Sequence, residues 1–112
     1  MTKPITSVAA LMLFEQGRYA LDDPITRWGP EFSTMGVLRS RDDPLDQTVP
    51  AVRPITFEDL LTHRSGITYG AFHTGPLAKA YEEALGGEVD TYVRPDDWIA
   101  GLAALPLIDQ PG

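Results

Sequence analysis

From position 8 to position 14 the chain reads Val8-Ala9-Ala10-Leu11-Met12-Leu13-Phe14, seven apolar residues without a polar interruption. Its Ala, Leu and Met content favours a helix over a strand, and a helix apolar on nearly every side is expected to be buried. Pro4 suits the first helical turn and Gly17 suits the left-handed position just past the end, so a buried helix is predicted over residues 1–17. Beyond it, Asp23 before Pro24 predicts a capped short helix, with Trp28 and Phe32 anchoring that turn on the core. Apolar segments at 35–40 and 48–52 flank the turn-rich Asp42-Asp43-Pro44-Leu45-Asp46. They predict a small hairpin in which Pro50 must lie on an edge. Thr56 followed by Asp59 reads as a near capping box opening a helix, and Gly66 reads as its C-cap. Two further helices are expected, one from Pro76 to Leu85 stopped by Gly86-Gly87, the other from Pro95 to Leu105 stopped by Pro106.

Composition narrows the classes. The chain has 112 residues, 43% of them hydrophobic and 22% charged, which is globular and excludes disordered, collagen-like and low-complexity readings. No apolar run approaches the ~20 residues of a membrane span. A net charge of -7 argues against a nucleic-acid or anionic-lipid partner. The absence of cysteine excludes disulfides, thiolate-bound zinc and a thiol nucleophile, yet leaves the compartment open between cytoplasm, the expectation here, and periplasm.

Few residues offer chemistry without a bland competitor. His63 sits near the end of a predicted helix, where its ring stabilises exposed carbonyls, and its spacing to His73 matches no common zinc arrangement. No metal or cofactor is therefore expected. Ser65 has no G-x-S-x-G elbow around it and reads as part of the helix-ending turn rather than of a Ser-His-Asp triad. The acidic pairs Asp22-Asp23, Asp42-Asp43, Glu82-Glu83 and Asp96-Asp97 are neighbours in sequence, so their side chains do not face one another. They read as caps and solvated faces.

Lys3 stands apart when three segments are taken together. Met1-Thr2-Lys3-Pro4-Ile5-Thr6-Ser7 leads into the apolar run and ends on Glu15-Gln16-Gly17. Leu21-Asp22-Asp23-Pro24-Ile25 is followed by Trp28-Gly29-Pro30-Glu31-Phe32. Ile55-Thr56-Phe57-Glu58-Asp59-Leu60-Leu61-Thr62-His63-Arg64-Ser65-Gly66 comes third. In this order they resemble the serine β-lactamase and penicillin-binding protein superfamily, above all its class C β-lactamase and family VIII carboxylesterase branch. In that superfamily the first segment carries an S-x-x-K motif and the third reads I-T-[VF]-x-[DE]-L-L-T-H-T-S-G-L. The resemblance spans residues 1–66.

The resemblance implies a β-lactamase/D,D-peptidase-like α+β fold in a longer parent, where an α/β domain packs on a helical domain around the active site. Residues 1–112 would form one partial domain, with 1–17 the buried central helix and 18–112 part of the helical domain. The chain itself would be mainly α with a small β-hairpin. It also implies a serine hydrolase acting on a small-molecule ester or β-lactam through an acyl-enzyme, with Lys3 as the catalytic lysine. The S-x-x-K spacing suits this chemistry because residues at i and i+3 share a helix face, so the amine reaches the hydroxyl. A lysine used as base must be neutral, which burial or nearby cations promote.

Departures from the pattern are equally specific. The nucleophilic serine would immediately precede Met1. Ser7, Ser33, Ser40 and Ser65 are followed at the third position by Ala10, Gly36, Asp43 and Thr68, so none makes an S-x-x-K. No Y-x-N or Y-S-x element is present at Tyr69, Tyr81 or Tyr92. His73-Thr74-Gly75 falls too early in the order to be the family's H-T-G strand. Carrying one of at least three catalytic elements, the chain alone is expected to be inactive and to need the rest of its parent. The competing expectations are a non-catalytic binding module that keeps the fold, and a free-standing helical domain.

Overall fold

The structure is a computed structural model and describes residues 3–40, 42–68, 75–85 and 94–112. Pro4 lies in the first turn of helix α1 (Lys3–Glu15). After α1, Gly17 takes φ +72°. There its N–H donates to the Phe14 carbonyl at 2.9 Å while that of Arg18 donates to Leu13 at 3.1 Å, a complete Schellman ending. Two 3₁₀ turns follow, Ile25–Arg27 and Pro30–Thr34. Strands β1 (Gly36–Leu38) and β2 (Thr48–Pro50) then form the expected antiparallel hairpin, with Val37 opposite Val49 and Pro50 opposite Gly36 at the end of the pairing. Helices α2 (Phe57–Leu61), α3 (Pro76–Leu85) and α4 (Pro95–Ala103) complete the order.

Strand alternation divides the interior in two. Successive residues of a strand point to opposite faces, so Val37 enters a cluster with Ile25, Met35, Ile55 and Leu107. Its neighbour Leu38 enters a second cluster with Leu77, Tyr81, Leu102 and Ile108. The segment after α4 repeats the alternation with Leu107 and Ile108. It lies parallel to β1, with Leu107 N–H on Gly36 O at 2.8 Å and Leu38 N–H on Leu107 O at 2.9 Å. β1 and residues 107–108 are thus the wall between the two cores, and Leu107 is fully buried. α3 and α4 close the second core by packing on each other, Gly101 lying against Ala84 and Leu85.

Within the expected span 1–17, α1 forms over Lys3–Glu15, and within this chain none of its residues is buried; Ile5 is 72% exposed, Val8 58% and Met12 57%. A helix apolar all round needs partners all round, whereas both cores form elsewhere. Three other expectations require correction. Asp23 does not cap a helix: Pro24 is extended and bridges Thr56, and the Asp23 carboxylate turns back to the Ala20 N–H and to Arg27. Trp28 lies on the surface, its ring in a T-shaped contact with that of Phe57 and the Arg27 guanidinium over its face, while Phe32 packs on both cores. Gly66 is not a C-cap, because α2 ends five residues earlier and His63 occupies the left-handed position at φ +60°. There the His63 N–H donates to Leu60 O and that of Arg64 donates to Asp59 O at 2.8 Å, a second Schellman ending built without glycine.

Candidate functional site

Lys3 is the first residue of α1 and is exposed. At 3.6 residues per turn, Ser7, Ala10 and Phe14 fall on the same stripe of the helix as Lys3. Ser7 and Ala10 are also the two residues of α1 that are partly covered. The stripe that bears Lys3 is therefore the stripe turned toward the rest of the chain. Tyr19 meets it: its hydroxyl donates to the Ala10 carbonyl at 2.6 Å, and its ring lies 5.9 Å from that of Phe14.

The other sequence candidates are occupied structurally. Ser65 is buried and its Oγ accepts from the Ile67 N–H at 3.2 Å, a turn contact as expected. His63 serves the end of α2. Asp23 pairs with Arg27 and Asp97 with Arg94, both at the surface. His73, Thr74, Tyr69 and Tyr92 lie outside the described residues. Among the described residues no group of three or more His, Cys, Asp or Glu is placed to hold a metal ion. No helix among them is long and apolar enough to cross a membrane.

One charged pair was not anticipated. Asp59 is buried, and its carboxylate receives both terminal nitrogens of Arg53 and the Thr56 N–H, while its own N–H donates to Thr56 Oγ1. The Arg53 fork, ahead of the opposing effect of burial, holds the Asp59 carboxyl down at about 2. Thr56 and Asp59 are legible as a capping box, but nothing in spacing marks Arg53 as the partner. An open groove of about 620 Å³ runs along β2 and is lined by Phe32, Met35, Val49, Arg53 and Leu107, among others. Lys3 is not among its walls, so this groove and the candidate lysine are separate features.

The Beta-lactamase family model matches residues 1–112, the whole of the chain. The chain belongs to the Beta-lactamase family. It is 50% identical over 112 residues to Protein Rv1367c of Mycobacterium tuberculosis, covering 100% of this chain and 27% of that protein. It is 42% identical over 115 residues to Esterase EstB of Burkholderia gladioli, covering 100% of this chain and 26% of the esterase. It is 32% identical over 111 residues to Acyltransferase calJ of Penicillium decumbens, covering 99% and 25%. The chain thus spans about a quarter of the length of these relatives. The family assignment agrees with the resemblance drawn from the three ordered segments, and the mainly helical architecture with one small hairpin agrees with the element expectation.

Proposed function

We propose that this chain is the lysine-bearing part of a serine hydrolase that cleaves a small-molecule ester. The observation that carries the reading is Lys3, standing at the start of an apolar helix in a chain that matches the Beta-lactamase family throughout. The esterase named among its relatives supports an ester over a β-lactam or peptide as substrate. In the reaction, a serine three residues before Lys3 attacks the ester carbonyl carbon. Its hydroxyl proton passes to the lysine amine as the C–O bond forms. The tetrahedral intermediate then expels the alcohol, which takes up the proton, and leaves an acyl-serine. Water repeats the sequence and frees the acid. The named acyltransferase favours a second reading in which an alcohol, not water, takes the acyl group. The chemistry up to the acyl-enzyme is the same.

The domain reading follows from the same premise. In the full-length protein the exposed apolar surface of α1 is covered by the rest of the parent chain, making α1 the central helix between a helical and an α/β domain.

Lys3→Ala and Lys3→Arg in the full-length protein, assayed on a chromogenic short-chain ester, test the assignment. Lys3→Ala should lower turnover on the order of 10² to 10⁴-fold, the range of general-base catalysis. It should shift stability by less than about 1–2 kcal/mol, since an amine that faces the active-site cleft and not the core leaves no core cavity. Lys3→Arg should fail nearly as badly, because guanidinium does not accept a proton at ordinary pH. An active Lys3→Arg enzyme would reduce Lys3 to a charge partner and overturn the mechanism. Adding a primary alcohol distinguishes the second reading through formation of a new ester.

A further inference from the structure

The contact between Tyr19 and α1 has a consequence for the far end of that helix. Tyr19 is 9% exposed. Its ring lies 4.3 Å from that of Phe57, the first residue of α2, and 5.9 Å from that of Phe14 near the end of α1. The start of α2 is itself held firmly. Its capping box is complete, Phe57 and Glu58 donate backbone N–H groups to Asp23 and Leu21, and Arg53 clasps Asp59. Tyr19 therefore joins a fixed platform to a helix that buries none of its own residues.

The join is directional. The Tyr19 hydroxyl donates to Ala10 O at 2.6 Å, a mid-helix carbonyl already committed to the helix. Ala10 is seven residues from Lys3, which at ~100° per residue returns to the same face about 10 Å along the axis. Phe14 lies on that face one further turn along. A hydrogen bond and a ring contact on one stripe resist rotation of the helix about its axis and sliding along it. Either motion would swing Lys3 at the far end of the same stripe.

Resting on the assignment of Lys3 above, we infer that Tyr19 is a positioning residue for Lys3, setting through Ala10 and Phe14 the direction in which the lysine faces. Reacting groups in enzymes are sensitive to displacements of about 1 Å, so loosening the helix lowers turnover without altering what the substrate touches.

The test is Tyr19→Phe in the full-length protein, which keeps the ring on Phe14 and Phe57 and removes only the hydroxyl. Two controls accompany it: Lys3→Ala, and Tyr81→Phe, which removes a buried hydroxyl from the second core, away from α1. With a chromogenic short-chain ester, Tyr19→Phe should lower kcat about tenfold and leave KM within about twofold. Its melting temperature should move no more than that of Tyr81→Phe, which should keep its kcat. If Lys3→Ala is inactive and Tyr19→Phe turns over like the wild type, the positioning role is wrong and the lysine assignment stands. If Tyr19→Phe and Tyr81→Phe lose kcat alike, the effect is general loosening and the inference fails. If Lys3→Ala is active, the assignment of Lys3 fails and the inference falls with it.

Discussion

Arg53 and Asp59 form a two-pronged clasp, Nη1 to Oδ2 at 2.5 Å and Nη2 to Oδ1 at 2.9 Å, with the carboxylate nearly buried and the guanidinium half-exposed. The same Oδ2 accepts the Thr56 N–H, so one carboxylate closes both the ion pair and the cap of α2. Its pKa of about 2 lies below the ordinary 3.8. A depressed acid stabilises the fold above its unfolded pKa, and that contribution is lost as the pH falls through the folded value. The clasp is therefore intact at neutral pH and fades between about pH 4 and pH 2. Its pH-dependent part is at most about 2 kcal/mol, less for screening at Arg53. Urea midpoints of the full-length protein should fall over that range, and Asp59→Asn should flatten that part of the curve. At neutral pH Asp59→Asn should cost about 1–3 kcal/mol. An unchanged acid profile would show that the pair contributes nothing.

Three residues in the left-handed region separate conformation from space. Gly17, at φ +72°, has nothing within 4 Å of where a Cβ would stand, so Gly17→Ala should cost about 1 kcal/mol, from backbone strain alone. Gly66, at φ +88°, would place its Cβ 2.1 Å from Asp109 O, in the segment hydrogen-bonded through Ile108 N–H to Gly66 O. Gly66→Ala should therefore cost more than about 2 kcal/mol, because backbone must move. His63, at φ +60°, already bears that strain. His63→Gly should leave stability unchanged or raise it by up to about 1 kcal/mol, despite the greater freedom of glycine when unfolded. Melts of the three variants should keep this order, and equal losses at Gly17 and Gly66 would contradict the close approach to Asp109.

The cover of α1 is open to direct measurement. Val8 is 58% exposed within this chain. In the 112-residue chain expressed alone, Val8→Glu should change stability by no more than about 0.5 kcal/mol and reduce binding of a hydrophobic dye. In the full-length protein, where we propose that α1 is enclosed, the same change should cost several kcal/mol, on the order of burying an unpaired charge. Equal, small effects in both would show that α1 stays at the surface.

Local features of this chain were legible because they depend on neighbours in sequence. The helix ending at Gly17, the Thr56–Asp59 cap, the hairpin with its edge proline, and the extent of α3 follow from backbone conformations and side-chain reach within a few residues. The family, too, was written in three short ordered segments. Tertiary structure decided what joins distant positions. Leu107 and Ile108 beside β1, Tyr19 on Ala10, and the Asp109 carbonyl against Gly66 have no periodicity that announces them. Gly66 reads as a helix cap because a glycine before an apolar segment is what caps leave in a sequence. Only the fold shows that its missing side chain makes room for the segment that runs beside β1 from residue 107. Apolarity likewise told that α1 seeks burial but not against what. A pattern along one chain records how greasy a surface is, while its partner is chosen by shape and by whatever the rest of the polypeptide brings to it.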